Sequence, residues 1–375
     1  MKNPEKDRMI QNIPSMSVRD AVHHISSAYR EILNKGLPLR IFPSVMMWGP
    51  PGVGKSQAVR QIAESIRLDT SKDIRVTDVR LLLFNPIDLR GIPTANADKT
   101  LAVWLKPKIF EMDPSDSTVN ILFLDEISAA PQSVQAAAYQ ITLDRVIGEH
   151  RLPENCIVLA AGNRTTDRSV AYKMPRALAN RLLHLDIRYD FDSWREWAIR
   201  KGVHEKVIGF LAFRPSFLMV EEPGDDLAFA TPRSWEMVSN LLCGVSDDIK
   251  AILPLISGLV GQAAAREFLS WAHVYGQLPP LEKIFHGQKA AIPKNADALY
   301  ALVSSIVSHV RNHTDDLEAI ENSIRYAEQL PPDFSALLLS DFIHLDESFR
   351  KTLMTIPEFN RWLRSKGEIL NGAVE

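Results

Sequence analysis

An α/β architecture built on a parallel sheet and followed by an all-helical region is the fold class this chain predicts, on three observations. The stretch Gly49-Pro50-Pro51-Gly52-Val53-Gly54-Lys55-Ser56 fits G-x-x-x-x-G-K-[ST]; the apolar run Val45-Met46-Met47-Trp48 precedes it and a helix-like stretch, Gln57 to Arg67, follows. Apolar β-type runs alternate with helical runs as far as Ile187. From Tyr189 onward the alternation ceases and only helical patterns remain. At 375 residues the chain is long enough for about two domains.

After a polar arm, Ser17 and Asp20 stand at capping-box spacing, with Asp in place of the usual Glu. Val18, Ala21, Val22, Ile25, Ala28, Tyr29, Ile32 and Leu33 then recur at helical spacing until Gly36. His23 and His24 are adjacent, cannot share a helix face, and read as surface residues. Pro43 resets the chain before the first core strand.

In the glycine-rich stretch, residues without Cβ let the chain turn tightly and point successive backbone N–H groups at phosphate oxygens. Lys55 would neutralise β- and γ-phosphate charge, Ser56 would ligate Mg²⁺, and the helix N-terminus adds its positive dipole end. The nucleotide-contacting set is Gly49 to Ser56 together with Gln57. A glycine turn that binds nothing is the alternative, and the agreement of strand, glycines, Lys-Ser and helix speaks against it.

Val76 to Phe84 reads as a second strand, ended by Asn85-Pro86. The segment Ile87 to Pro93 begins a stretch with turn chemistry, Asn96 to Lys99 is polar and Leu101 to Leu105 apolar, as expected of an insertion that forms a hairpin or a short helix. Val119 to Leu124 is a nearly continuous apolar strand ending in Asp125-Glu126, which places two carboxylates at the carboxyl edge of a buried parallel strand. Beside a phosphate loop, Asp125 would hold the metal and Glu126 would act as general base toward water. Alone, a strand ending in Asp-Glu is simply a strand meeting solvent; Lys55-Ser56 upstream is what favours the functional reading.

Ser133 to Leu143 continues as a helix, and Cys156 to Ala161 is a further buried strand leading to Gly162-Asn163. The Asn163 amide both donates and accepts, as orienting a water between Glu126 and a γ-phosphate requires. A short helix, Met174 to Leu183 with Pro175 near its start, leads into a last strand, Leu183 to Ile187. Beyond it, helices are expected over Asp192 to Lys201, Glu205 to Phe213, Arg233 to Leu242, Ile249 to Leu259, Ala263 to Tyr275, Ala298 to Val310 and Thr314 to Leu330, with breaks at Pro279-Pro280 and Pro331-Pro332. The expected domains are 1–190, 191–290 as a helical lid, and 291–375 as a helical extension.

The chain is 46% hydrophobic and 24% charged, ordinary for a soluble globular protein, with a net charge of −3 that gives no global field for nucleic acid or an anionic membrane. Cys156 and Cys243 lack metal-ligand spacing and read as core residues, and so few thiols suit a reducing cytosol. No apolar run approaches the roughly 18 residues that span a bilayer, and the polar start is not a secretory signal. The expected location is cytoplasmic.

The ordered set of phosphate loop, Leu122-Phe123-Leu124-Asp125-Glu126, Ala160-Ala161-Gly162-Asn163, Pro175 to Leu182 and Thr231-Pro232-Arg233-Ser234 resembles the AAA+ ATPases and, within them, the MoxR group. The resemblance spans about Ser17 to Val245. It implies a P-loop NTPase fold with a five-stranded parallel sheet, a helical lid, and ATP as the nucleotide. Asn163 matches the sensor-1 residue, Arg181 the arginine finger that reaches a neighbouring subunit's site, and Arg233 the sensor-2 arginine of the lid. Arg176, where an acidic residue is usual, is the second candidate for the finger, and Asn180 stands where Asp often precedes it. Gly91 to Leu105 occupies the place of the family's pore-facing insert, so Trp104 and Leu105 either contact a client or pack inward.

A finger delivered in trans implies hydrolysis that depends on assembly, most simply a homo-hexameric ring. The leading functional expectation is therefore an ATPase that remodels or activates a partner protein, as MoxR-type proteins do, often one with a von Willebrand factor A domain. A nucleic-acid motor or loader is the alternative; the mild acidity and the lack of a recognisable DNA-binding module weigh against it. A scaffold that binds ATP without hydrolysing it is a third, opposed by Glu126, Asn163 and Arg181 occurring together.

Overall fold

The computed structural model of the chain describes residues 13–164, 174, 179–220 and 226–366. Contacts divide it into two units, Met1–Asp190 and Phe191–Glu375, each with its own core.

The first unit opens with a two-residue strand, β1 (Ser15–Met16), and helix α1 (Val18–Asn34). Ser17 caps α1 as its spacing requires, its Oγ accepting from the Asp20 N–H at 3.1 Å. Strand β2 (Val45–Trp48) runs into the glycine-rich loop, and α2 (Lys55–Thr70) follows. Next come β3 (Asp73–Arg80), the five-residue helix α3 (Pro86–Arg90), and the antiparallel hairpin of β4 (Ile92–Ala95) and β5 (Ala102–Leu105). Strand β6 (Thr118–Asp125), helix α4 (Gln132–Asp144), the small β7 (Val146–Ile147) and β8 (His150–Arg151) ribbon, β9 (Cys156–Gly162) and β10 (Leu183–Ile187) complete the unit.

The main sheet has the order β1-β10-β2-β9-β6-β3, parallel throughout. The five expected strands are all in it, and β1 extends it by a sixth beside β10. Period-2 alternation sends the two halves of each central strand to opposite cores. Met47, Ile121, Phe123 and Leu159 meet Ile25 and Tyr29 of α1 and Val59, Ile62 and Ile66 of α2 on one face. Met46, Leu122, Leu124 and Val158 meet Val134, Ala138 and Ile141 of α4 on the other. Covered on both faces, these strands read as unbroken apolar runs, and each buried side chain contributes about 1.5–3 kcal/mol.

The second strand differs from expectation at both ends. It begins at Asp73 and stops at Arg80, and Leu81–Leu83 turn into a single 3₁₀ turn. As the edge strand, β3 carries polar residues at its start, and in the run of three leucines only Leu81 is buried while Leu82 and Leu83 are exposed. The insertion takes the hairpin form. Gly91, at φ +90, is what lets it close, since a Cβ there would lie 1.9 Å from the Leu105 carbonyl oxygen. The expected short helix at Met174 to Leu183 falls largely outside the described residues.

In the second unit, α5 (Phe191–Lys201), α6 (Glu205–Phe213), α7 (Pro232–Gly244), α8 (Leu253–Val260), α9 (Gln262–Ala272) and α10 (Leu281–Phe285) are followed by α11 (Ala296–Asn312), α12 (Leu317–Ala327), α13 (Pro332–Ile343), α14 (Glu347–Leu353) and α15 (Pro357–Lys366). The helix expected from Ile249 starts only at Leu253, and the one expected to reach Tyr275 ends at Ala272 in a 3₁₀ turn. Phe210, Trp235, Phe268 and Trp271 form an aromatic centre with ring centroids 5.2–6.3 Å apart. The same core takes in Leu302, Ile306, Leu339 and Phe342, so helices on both sides of residue 290 share it. Arg195 on α5 pairs with Asp341 on α13, Nε to Oδ1 at 3.0 Å, both side chains buried.

Candidate functional site

The loop after β2 leads into α2 through Gly54, whose φ of +108 suits glycine and whose missing side chain leaves the first-turn N–H groups without a side-chain cap. A helix start of that kind is an anion-binding surface. Lys55, the first helical residue, is buried, and its ammonium donates to the carbonyls of Gly49 at 2.6 Å and Pro50 at 3.0 Å and to Asn163 Oδ1 at 2.9 Å. Ser56 donates from Oγ to Asp125 Oδ2 at 2.9 Å. Because β9 lies between β2 and β6, one loop residue reaches the end of β9 and the next reaches the end of β6.

Asp125 closes β6 and its other oxygen accepts from the Glu126 N–H at 2.9 Å. Glu126 itself stands at φ +59, a left-handed conformation that costs a non-glycine residue about 1–3 kcal/mol. The turn is held open by Ile127, whose N–H donates to Ala161 O on β9 at 3.0 Å. Ser56 and Asp125 together are a hydroxyl and a carboxylate, hard oxygen donors of the type Mg²⁺ takes. The two residues fit that ion.

Two contributors escape a motif reading. Ser128, buried two residues beyond Glu126, accepts from the Asn163 backbone N–H through its Oγ at 2.9 Å and so anchors the main chain of the residue whose side-chain oxygen Lys55 contacts. Gly162 makes room for it, since a Cβ there would sit 2.8 Å from that hydroxyl. Asp78, on β3, is the second. Its carboxyl is held above the usual range by partial burial and by the charge of Asp125, against the opposing pull of Arg80 and Arg60. Ser128 sits next to a readable motif and Asp78 near the end of an edge strand, but only the packed sheet brings Ser128 to Asn163 and Asp78 near Asp125.

A second layer lies along β10. Asp186 is buried and pairs with Arg164, the neighbour of Asn163, and with Arg188, whose Nε is 3.1 Å from it. Two residues earlier, His184 Nδ1 meets the Nε1 of Trp48, the last residue of β2, at 2.9 Å, and its Nε2 meets the Ala179 carbonyl at 2.7 Å. Arg181 is exposed, between Ala179 and Leu182. Asn180 beside it is also exposed, and Arg176 lies outside the described residues.

Arg233 belongs to the second unit. It is exposed in the first turn of α7, flanked by a capping box in which Thr231 Oγ1 accepts from the Ser234 N–H at 3.0 Å and Ser234 Oγ accepts from the Thr231 N–H at 2.8 Å. Thr231 and Ser234 therefore have a structural task, and the arginine between them faces solvent.

In the insertion, Leu105 is 57% exposed and Trp104 half-buried, so the two do not both pack inward. The Trp104 carbonyl is tied to His150 Nε2 at 2.8 Å. Leu83, Ile87, Ile92, Leu105 and Ile109 line an open apolar pocket of about 510 Å³ beside the hairpin. Cys156 is buried, but Cys243, expected in the core, is exposed on the last turn of α7. Among the described residues no group of three or more His, Cys, Asp or Glu side chains is arranged to hold a metal, and no helix is long and apolar enough to cross a membrane.

Residues 44–184 match the family described as the ATPase family associated with various cellular activities (AAA). No curated protein matches the chain. Among solved structures it is similar to a candidate ATPase from Cytophaga hutchinsonii, at 16% identity over 88% of this chain and 93% of that one, with a TM-score of 0.32. It is also similar to a point mutant of RuvB from Thermotoga maritima, at 13% identity over 94% and 91% with a TM-score of 0.33. A third is NtrX from Brucella abortus in complex with ADP, at 14% identity over 93% and 68% with a TM-score of 0.36.

Proposed function

We propose that this chain, whose residues 44–184 match the AAA family, is a MoxR-type ATPase that binds ATP with Mg²⁺, hydrolyses it, and works as an oligomeric ring on a partner protein. The observation that carries the reading is the pair of contacts joining the loop to two strand ends, Lys55 to Asn163 and Ser56 to Asp125. A turn that binds nothing has no need of a buried ammonium among three oxygens, next to a serine bonded to a strand-end carboxylate.

The residues divide the work by their chemistry. Gly49, Pro50, Pro51, Gly52, Val53 and Gly54 supply the loop, and the N–H groups at the start of α2, including those of Lys55, Ser56 and Gln57, cradle phosphate oxygens. Lys55 exchanges its loop carbonyls for β- and γ-phosphate oxygens. Ser56 and Asp125 are the donors that would hold Mg²⁺, which when bound neutralises phosphate charge. Glu126, turned out of β6 by its left-handed backbone, takes the proton of the attacking water, and Asn163, fixed by Ser128, orients that water. Arg181 from a neighbouring subunit and Arg233 from the helical unit stabilise charge on the transferred phosphoryl group.

The exposed apolar side chains Leu82, Leu83, Ile87, Ile92 and Leu105 around the hairpin support a protein as the client, since such a surface suits apolar contact better than phosphate contact. The test is nucleotide binding and turnover in Lys55→Ala. The variant is expected to lose binding of a fluorescent ATP analogue by at least ~100-fold, because a buried charge-assisted contact to phosphate is removed. Binding within twofold of wild type would overturn the assignment of the loop.

A further inference from the structure

We propose that His184 is a positioning residue that couples the phosphate loop to the turn carrying Arg181, so that each subunit's own loop sets the arginine it offers to its neighbour. The inference rests on the reading of Arg181 as the trans arginine and adds the device that holds it. Leu182 donates its N–H to the Ala179 carbonyl at 3.4 Å, closing a four-residue turn with Asn180 and Arg181 exposed at its corner and Leu182 buried beneath. His184 Nε2 meets that same carbonyl oxygen at 2.7 Å.

The other ring nitrogen settles the protonation state. An indole N–H can only donate, so the Trp48 Nε1 contact at 2.9 Å makes His184 Nδ1 an acceptor. The imidazole is therefore neutral with its proton on Nε2, and it donates that proton to Ala179. The two ring planes lie within 18° of one another with centroids 6.1 Å apart, as an in-plane N–H···N contact requires, so the imidazole is fixed through both nitrogens. Trp48 is peptide-bonded to Gly49, the first residue of the loop, and Gly49 lies so close to β10 that a Cβ would be 2.5 Å from the Ile187 carbonyl oxygen. A shift of the loop at Gly49 thus reaches Arg181 through one indole, one imidazole and one turn carbonyl.

A satisfied half-buried histidine with a purely structural task would disturb its own subunit's site as much as its neighbour's. The experiment therefore separates the two. Glu126→Gln subunits, which keep the arginine but lack the base, are mixed with Arg181→Ala subunits, which keep the base but lack the arginine, and ATP turnover is measured across mixing ratios. Recovery in this parent mixture tests the trans arginine by itself, and no recovery at any ratio removes both that reading and the coupling. His184→Phe is then placed on each partner in turn.

On the Glu126→Gln partner it is expected to lower the recovered kcat by at least ~10-fold, the scale of a misplaced catalytic group, with the KM for ATP unchanged. On the Arg181→Ala partner turnover is expected to stay within about twofold, and His184→Gln, which keeps a donor and an acceptor, is expected to restore part of the loss on the first partner. Equal losses on both partners, or none on the Glu126→Gln partner, would overturn the coupling. Trp48→Phe, which keeps an aromatic ring and drops the N–H, gives the same asymmetry if His184→Phe does not fold.

Discussion

Glu126 is the residue at which local preference and task conflict. Its φ of +59 is unfavourable for a side chain, and it follows directly on Asp125, whose Oδ2 accepts from Ser56. Ser128 is the less visible half of the same arrangement. Ser128→Ala is expected to lower ATP turnover by about 10-fold while leaving nucleotide affinity within twofold, since it releases the Asn163 backbone N–H, and with it the position of that residue, without touching the loop. Unchanged turnover would show that the hydroxyl only packs. Lys55, Ser56, Asp125 and Glu126 can be put forward from the sequence as candidates because each lies in a run whose neighbours announce it. Ser128, Asp78 and His184 cannot, because their partners are 35, 47 and 136 positions away and only the sheet order brings them together.

At the scale of elements, the central strands were legible because burial on both faces leaves continuous apolar runs, whereas β3, an edge strand, was misplaced at both ends. The two-residue β1 is too short to carry a pattern. Helix α6 carries a pH-sensitive cap of its own. His204 Nδ1 accepts from the Lys206 N–H at 3.1 Å and its Nε2 lies 3.0 Å from Asp247 Oδ1, an arrangement the neutral ring satisfies and a protonated one breaks. Burial lowers its pKa below 6.5, outweighing Glu205 and Asp247, which pull upward. A depressed folded-state value means that the unfolded chain takes the proton first, so stability present above about pH 6.5 is lost as the pH falls through and below it. His204→Asn, which can still cap, is expected to flatten the urea-midpoint profile between about pH 7 and 5. A slope unchanged from wild type would assign the acid sensitivity elsewhere.

The whole molecule is two units with separate cores, one a parallel α/β sheet holding the loop and both strand ends, the other entirely helical. Contacts part the chain after Asp190, where β patterning ends, and helices on both sides of residue 290 share one core, which helical periodicity does not reveal because it says which face is apolar and not which helix covers it. On the proposed function, the loop and the ends of β6 and β9 form one ATP-hydrolysing site. The direct measurement is phosphate release from ATP with Mg²⁺ by wild type and Glu126→Gln side by side, with the nucleotide on each protein identified after rapid gel filtration. Wild type is expected to turn over ATP, and the variant to lose about 10²–10⁴-fold of that turnover while eluting with ATP bound. Equal turnover in both, or a variant that elutes without nucleotide, would contradict it.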